Sequence, residues 1–158
     1  MSDNPFADFE SFTGPHRGGD DHDFQLNDLE DPIPTGLPIP ATYRMFVMPV
    51  GIKTALRVKT DDGDKFIHMP DQAIDAELWL NCLGKVCALG PACFAHPRYK
   101  ELGLERKDFP NVGSIILYSA RSPLRFTFKG TRILVINDDH WFANVVDPST
   151  AGSFKFYI

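Results

Sequence analysis

The reading of residues 135–146, "VINDDHWFANVV", decides the fold. Asp138, Asp139 and His140 stand in a row between two apolar runs. They are either the nucleus of a metal or acid–base site, or a polar turn between two strands. Successive residues of a strand point to opposite faces, so three neighbours on one strand cannot converge on a single ion. A loop could gather them, but metal sites draw their ligands from separate segments, and Asn-Asp-Asp is strong turn chemistry. The turn is the expected reading, and it makes the flanking runs strands.

Outward from that turn the same texture repeats. "GSIILYS", "LRFTFKG", "TRILVIN" and "WFANVV" are four strand-like runs in close succession. Upstream, "TYRMFVMPV" reads as a strand ended by Pro49, and "LGKVCALG" as a strand flanked by glycines. "TALRVKT" and "KFIHM" flank an Asp-Gly turn, which predicts a hairpin. "PDQAIDAELWL" is open between a helical turn and a loop, and "FAHPRYKELGLERKDFP" between a loop and a loop with one helical turn. The closing "SFKFYI" alternates and could pair as a terminal strand. Many short strands at such spacing predict an all-β domain, a small barrel or sandwich.

Composition agrees. The 158 residues include 13 Pro and 12 Gly, which argue for many turns and against a helical bundle. A net charge of −5 offers nothing that would neutralise phosphates, so nucleic acid is not expected as a partner. The sequence has no run of apolar residues long enough for a transmembrane helix, so no membrane contact is expected. "MSDNPFADFE" lacks the basic and apolar regions of a signal peptide, which points to synthesis in a cytoplasm. Cys82, Cys87 and Cys93 lack C-x-x-C spacing and are expected to be reduced thiols.

Residues 1–40 differ from the rest. They are rich in Gly, Pro and Asp, show no strand alternation, and cannot fold alone. Yet they carry spaced apolar anchors, Phe6, Phe9, Phe12, Phe24, Leu26 and Leu29. An extended arm that docks on a partner through these six side chains is the expectation. The implied organisation is an arm over residues 1–40, a β domain over 41–148, and a C-terminal strand or tail over 149–158.

No catalytic pattern accompanies this layout. His16, His22, His68 and His96 show neither H-E-x-x-H nor zinc-like His/Cys spacing, and no phosphate-cradling glycine loop or G-x-S-x-G elbow is present. The expectation is a non-enzyme, with no catalytic residues, cofactor or metal. Trp79 and Trp141 sit in apolar runs and are expected as core or interface anchors. Arg121, Arg125, Lys129 and Arg132 form a locally basic stretch, expected to be a solvated strand face.

The order of segments carries a resemblance. "YRMFVMP", "FIHMPDQA", "LGKVCALGPACF", "PNVGSIILYS" and "ILVINDDHWFANVV" follow the layout of GroES-like co-chaperonins, especially forms found in phage genomes. The resemblance spans roughly residues 41–146. It implies a small β-barrel with an extended N-terminal arm, assembling with copies of itself. It also implies a loop whose apolar tripeptide binds a chaperonin, here Ile67, His68 and Met69 with Phe66 beside them. The sequence departs from the family at that loop. Lys65-Phe66 replaces a flexible Gly-Gly, the loop is long, and it looks able to zip into a hairpin. The arm and the tail lie outside the family pattern.

Two functions follow as expectations. One is a structural protein, most simply a capsid decoration or cement component of a phage virion, assembled in the host cytoplasm and binding capsid subunits. The other is an active cytoplasmic co-chaperonin that caps a chaperonin through Ile67-His68-Met69.

Overall fold

A computed structural model of the chain describes residues 24–26, 29–119, 124–154 and 156. Phe6, Phe9, Phe12 and Arg121 lie outside the described residues, as do the side chains of Phe24, Leu26 and Trp79.

The described chain is mostly β-sheet. Its elements in order are β1 (Phe24–Leu26), β2 (Arg44–Pro49), β3 (Lys53–Thr60), β4 (Gly63–His68), helix α1 (Asp71–Leu80), β5 (Leu83–Leu89), a short helix α2 (Pro97–Glu101), β6 (Ile115–Tyr118), β7 (Leu124–Phe128), β8 (Thr131–Asn137) and β9 (Trp141–Asn144). They form two antiparallel sheets, one of three strands in the order β1-β3-β4 and one of six in the order β7-β8-β2-β5-β6-β9.

The large sheet is buried on both faces at its centre, and the alternation of its strands shows how. Met45 and Val47 of β2 enter one cluster with Val86, Ile116, Tyr118, Leu134 and Ile136. Phe46 and Met48 enter the other, with Leu83, Cys87, Ile115 and Ile133. A strand with apolar residues in both phases must be covered on both sides. The first face is roofed by the segment that follows β5, where Phe94 and Phe109 stack with ring centroids 4.7 Å apart. Trp141 meets Phe94 edge-on at 5.5 Å, so it is a core anchor in this chain. The second face is covered by Leu29, Ile33 and Leu37 of the arm and by Val145, Ala151 and Phe156 near the C-terminus.

The arm is fastened as well as packed. Lys85 Nζ donates to the Asp31 carbonyl at 2.9 Å, and Lys129 Nζ to the Thr35 carbonyl at 2.8 Å. Lys129 of the basic stretch therefore holds the chain's own arm. Lys129 (φ 49°) and Gly130 (φ 77°) make the two-residue turn between β7 and β8, where a left-handed conformation at both positions matches the strand twist.

Other local expectations resolve in definite ways. Residues 71–80 form helix rather than loop, with the Pro70 carbonyl accepting from Ala73 and Ile74 at its start and Asp71 in the first turn. The loop after β5 contains α2, capped by the His96 side chain, which accepts from the Arg98 N–H at 3.1 Å. The tail forms a 3-10 turn at Pro148–Ser153, and its described residues Phe154 and Phe156 are not in a strand. Their rings stack at 6.4 Å.

Candidate partner-binding edge

Asn137 to His140 form a corner between two strands. Asp138–His140 is a single 3-10 turn between β8 and β9. The two strands leave it in different directions, for β8 pairs with β2 and β7 while β9 pairs with β6. Asp138 is buried, and its Oδ2 accepts the Phe94 N–H at 2.8 Å while its own N–H donates to the Tyr43 carbonyl at 2.9 Å. Asp139 is exposed, and its carboxylate lies 3.8 Å from His140 Nε2. Among the described residues no group of three or more His, Cys, Asp or Glu side chains is placed to hold a metal.

Two of the three thiols are shifted by burial. Cys82, Cys87 and Cys93 are not joined in disulfides. Burial pushes Cys87 and Cys93 each up to about 11, against partial relief from backbone hydrogen bonds. At neutral pH both are therefore protonated, and the thiol form is a poor nucleophile. Among the described residues no helix is long and apolar enough to cross a membrane.

The geometry that stands out is the small sheet. The Asp-Gly signal forms its hairpin as expected, with Asp61-Asp62 between Thr60 and Gly63. Gly63 adopts φ 113°, and Thr60 Oγ1 donates to its carbonyl at 2.5 Å. Such a conformation is readily open to glycine and disfavoured for residues with a Cβ. Pairing then runs Lys59–Asp64, Val58–Lys65, Arg57–Phe66, Leu56–Ile67 and Ala55–His68.

Every residue of β4 is exposed, and among the described residues β4 pairs only with β3. Phe66 is 51% and Ile67 54% exposed, on opposite faces of the strand because they are adjacent. His68 is exposed, whereas Met69 is buried. The expected binding residues are thus divided, with Phe66, Ile67 and His68 at the surface and Met69 turned inward.

The expected arm residues are also divided. Phe24 and Leu26 lie in β1, paired to the other side of β3. Leu29 packs against the second cluster of its own chain.

Two further edges escaped the sequence reading. Among the described residues the large sheet ends in β7 and β9. Leu124 opens β7 at 70% exposure, beside a groove lined by Ile39, Pro40, Phe126 and Val135. On β9, Phe142 is 69% exposed, and Val146 beyond it 93%. The signal for β9 was present, since Phe142 and Val146 occupy the outward phase of a strand that turns Trp141 and Ala143 inward.

A buried amide also went unread. Asn81 donates from Nδ2 to the Val50 carbonyl at 2.8 Å and accepts the Leu83 N–H at 3.0 Å. It thereby fixes the exit of α1 against the end of β2. Asparagine between apolar residues reads in sequence as a turn, and only the fold supplies its partners. Compared with known proteins, the chain matches no family model and no curated protein.

Proposed function

We propose that the chain is a non-enzymatic assembly protein that docks through its exposed strand edges, and that its setting is a virion shell in which it decorates or cements capsid subunits. The observation that carries this reading is the outer edge of β4, which no other described strand pairs, with Phe66 and Ile67 exposed on its two faces. An unpaired strand presents a row of N–H and C=O groups that pairs with another chain, and proteins that do not use such an edge blunt it. Here Phe66 and Ile67 leave two adjacent apolar side chains exposed beside Asp64 and Lys65. The exposed apolar residues on β7 and β9 add two more surfaces, which suits a subunit with several neighbours, copies of itself included. Strand addition supplies affinity through main-chain bonds, and pockets for alternate side chains supply specificity.

The second reading, a co-chaperonin of GroES-like form, is favoured by the order of the motif segments and by exposed Ile67. Weighing against it are the hairpin pairing from Ala55 to His68 and the inward position of Met69. The deciding experiment is co-sedimentation of the purified protein with capsid shells, and separately with a bacterial chaperonin with and without nucleotide. Binding to shells supports the structural role. Nucleotide-dependent binding to the chaperonin alone overturns it in favour of the second reading.

A further inference from the structure

We infer that the outer edge of β3 is a strand-binding site whose occupant is the chain's own arm, and that β1 is a clip holding the β3–β4 hairpin zipped. Phe24 lies opposite Leu56, Gln25 opposite Ala55 and Leu26 opposite Lys53, with a register shift after Gln25. A two-stranded ribbon is marginal in water, and a third strand is what makes such a unit stable. The hairpin needs this help, because all of β4 is exposed and contributes little burial.

Three residues of pairing are too few to hold by themselves. The clip works because it is tethered. Just beyond β1 the chain is anchored on the large sheet by Leu29, Ile33 and Leu37, and by the bonds from Lys85 to Asp31 and Lys129 to Thr35. A strand presented from a fixed point binds as an intramolecular ligand, at high effective concentration. The arm thus spans both sheets, and its short first strand is the releasable part. The shift at Gln25 and Leu26 weakens the pairing further, as bulges leave a residue unpaired.

The consequence for β4 rests on the docking reading above, but the clip itself does not. With β1 in place, β4 is a preformed strand ready to accept a partner. With β1 released, the hairpin becomes a two-stranded ribbon that a partner must order on binding.

The test is amide hydrogen exchange on the isolated full-length chain carrying Phe24→Pro, Gln25→Pro and Leu26→Pro together, since proline cannot donate to a ladder. Amides of residues 53–68 should exchange about tenfold faster or more, while those of β2 and β8 keep their protection. Unchanged protection of residues 53–68 overturns the inference. If protection falls across the large sheet as well, a second variant decides. Gln25→Cys with Ala55→Cys places two thiols at opposed positions, within reach of a disulfide. An intramolecular 25–55 bond in the oxidised monomer, mapped by mass spectrometry, supports the clip, and its absence overturns it. No partner is present in either experiment, so a failure here is separate from a failure of docking.

Discussion

The Asp138 carboxylate accepts the backbone N–H of Phe94 at 2.8 Å, joining two loops 44 residues apart in sequence. Phe94 adopts φ 59°, a left-handed conformation that bulky residues avoid. The bond and the stack on Phe109 hold that conformation, which directs the Phe94 ring onto the first cluster. Residues that look like a reaction centre in sequence are thus a tie between the roof and the sheet.

Asp138→Ala should therefore cost about 1–3 kcal/mol, because it strands a buried donor. Asp139→Ala, at an exposed position, should stay within about 0.5 kcal/mol of the parent. Urea denaturation of the two variants checks this, and equal losses would contradict the assignment.

Gly90 follows β5 where the roof begins. A Cβ there would lie 2.3 Å from the Thr42 carbonyl oxygen and 2.8 Å from that of Arg44. Both are backbone atoms, and both already accept hydrogen bonds in this corner, from Ala92 and Gly90 respectively. They cannot step aside as a flexible side chain would. Gly90→Ala should destabilise by about 3 kcal/mol or more. Gly152→Ala, with open space around it, should be close to neutral, and the two midpoints in urea make the comparison.

The hydroxyl of Tyr118 is fully buried and has no hydrogen-bond partner among the described residues. A buried unsatisfied polar group costs about 1–3 kcal/mol. Tyr118→Phe removes the orphan and keeps the ring, so stability should hold or rise. A loss of more than about 1 kcal/mol would mean that the hydroxyl is satisfied.

The thiols set a pH dependence whose sign is fixed. Cys87 and Cys93 rise from 9.0 to about 11 in the folded chain because burial disfavours the thiolate. The folded state then holds its protons more tightly than the unfolded state. Their contribution to stability is at its full value below pH 9 and is lost as pH rises from about 9 to about 11. Burial pushes Tyr118 up as well, from 10.0, so it adds to the decline above about pH 10. Replacing both cysteines with alanine should flatten the decline in urea midpoint over this interval. An unchanged slope would show that these thiols are not its source.

Much of this architecture was legible in the sequence, because alternation and turn chemistry are local. Met45-Phe46-Val47-Met48 marks a strand, and Asp61-Asp62-Gly63 marks the hairpin. What was not legible depends on pairing between distant segments. The partners of Asn81 come from Val50 and Leu83, and the arm strand finds β3 from 27 to 32 residues away. The tail carries an alternating pattern, yet Pro148 and the Asp147 cap turn it into a 3-10 segment before Phe154. The docking surface was half legible. Phe66, Ile67 and His68 lie on the exposed strand, but nothing local to the tripeptide marks Met69 as turning inward.

The central claim is that the β4 edge is the docking strand. Its most direct test is co-sedimentation with capsid shells of the parent protein and of Phe66→Asp with Ile67→Asp. Both positions are exposed, so the fold should tolerate the change, while a charge cannot be desolvated cheaply at an apolar interface. Loss of shell binding, with the parent's hydrogen-exchange protection retained in β2 and β8, is the predicted result. Shell binding equal to that of the parent would contradict the claim.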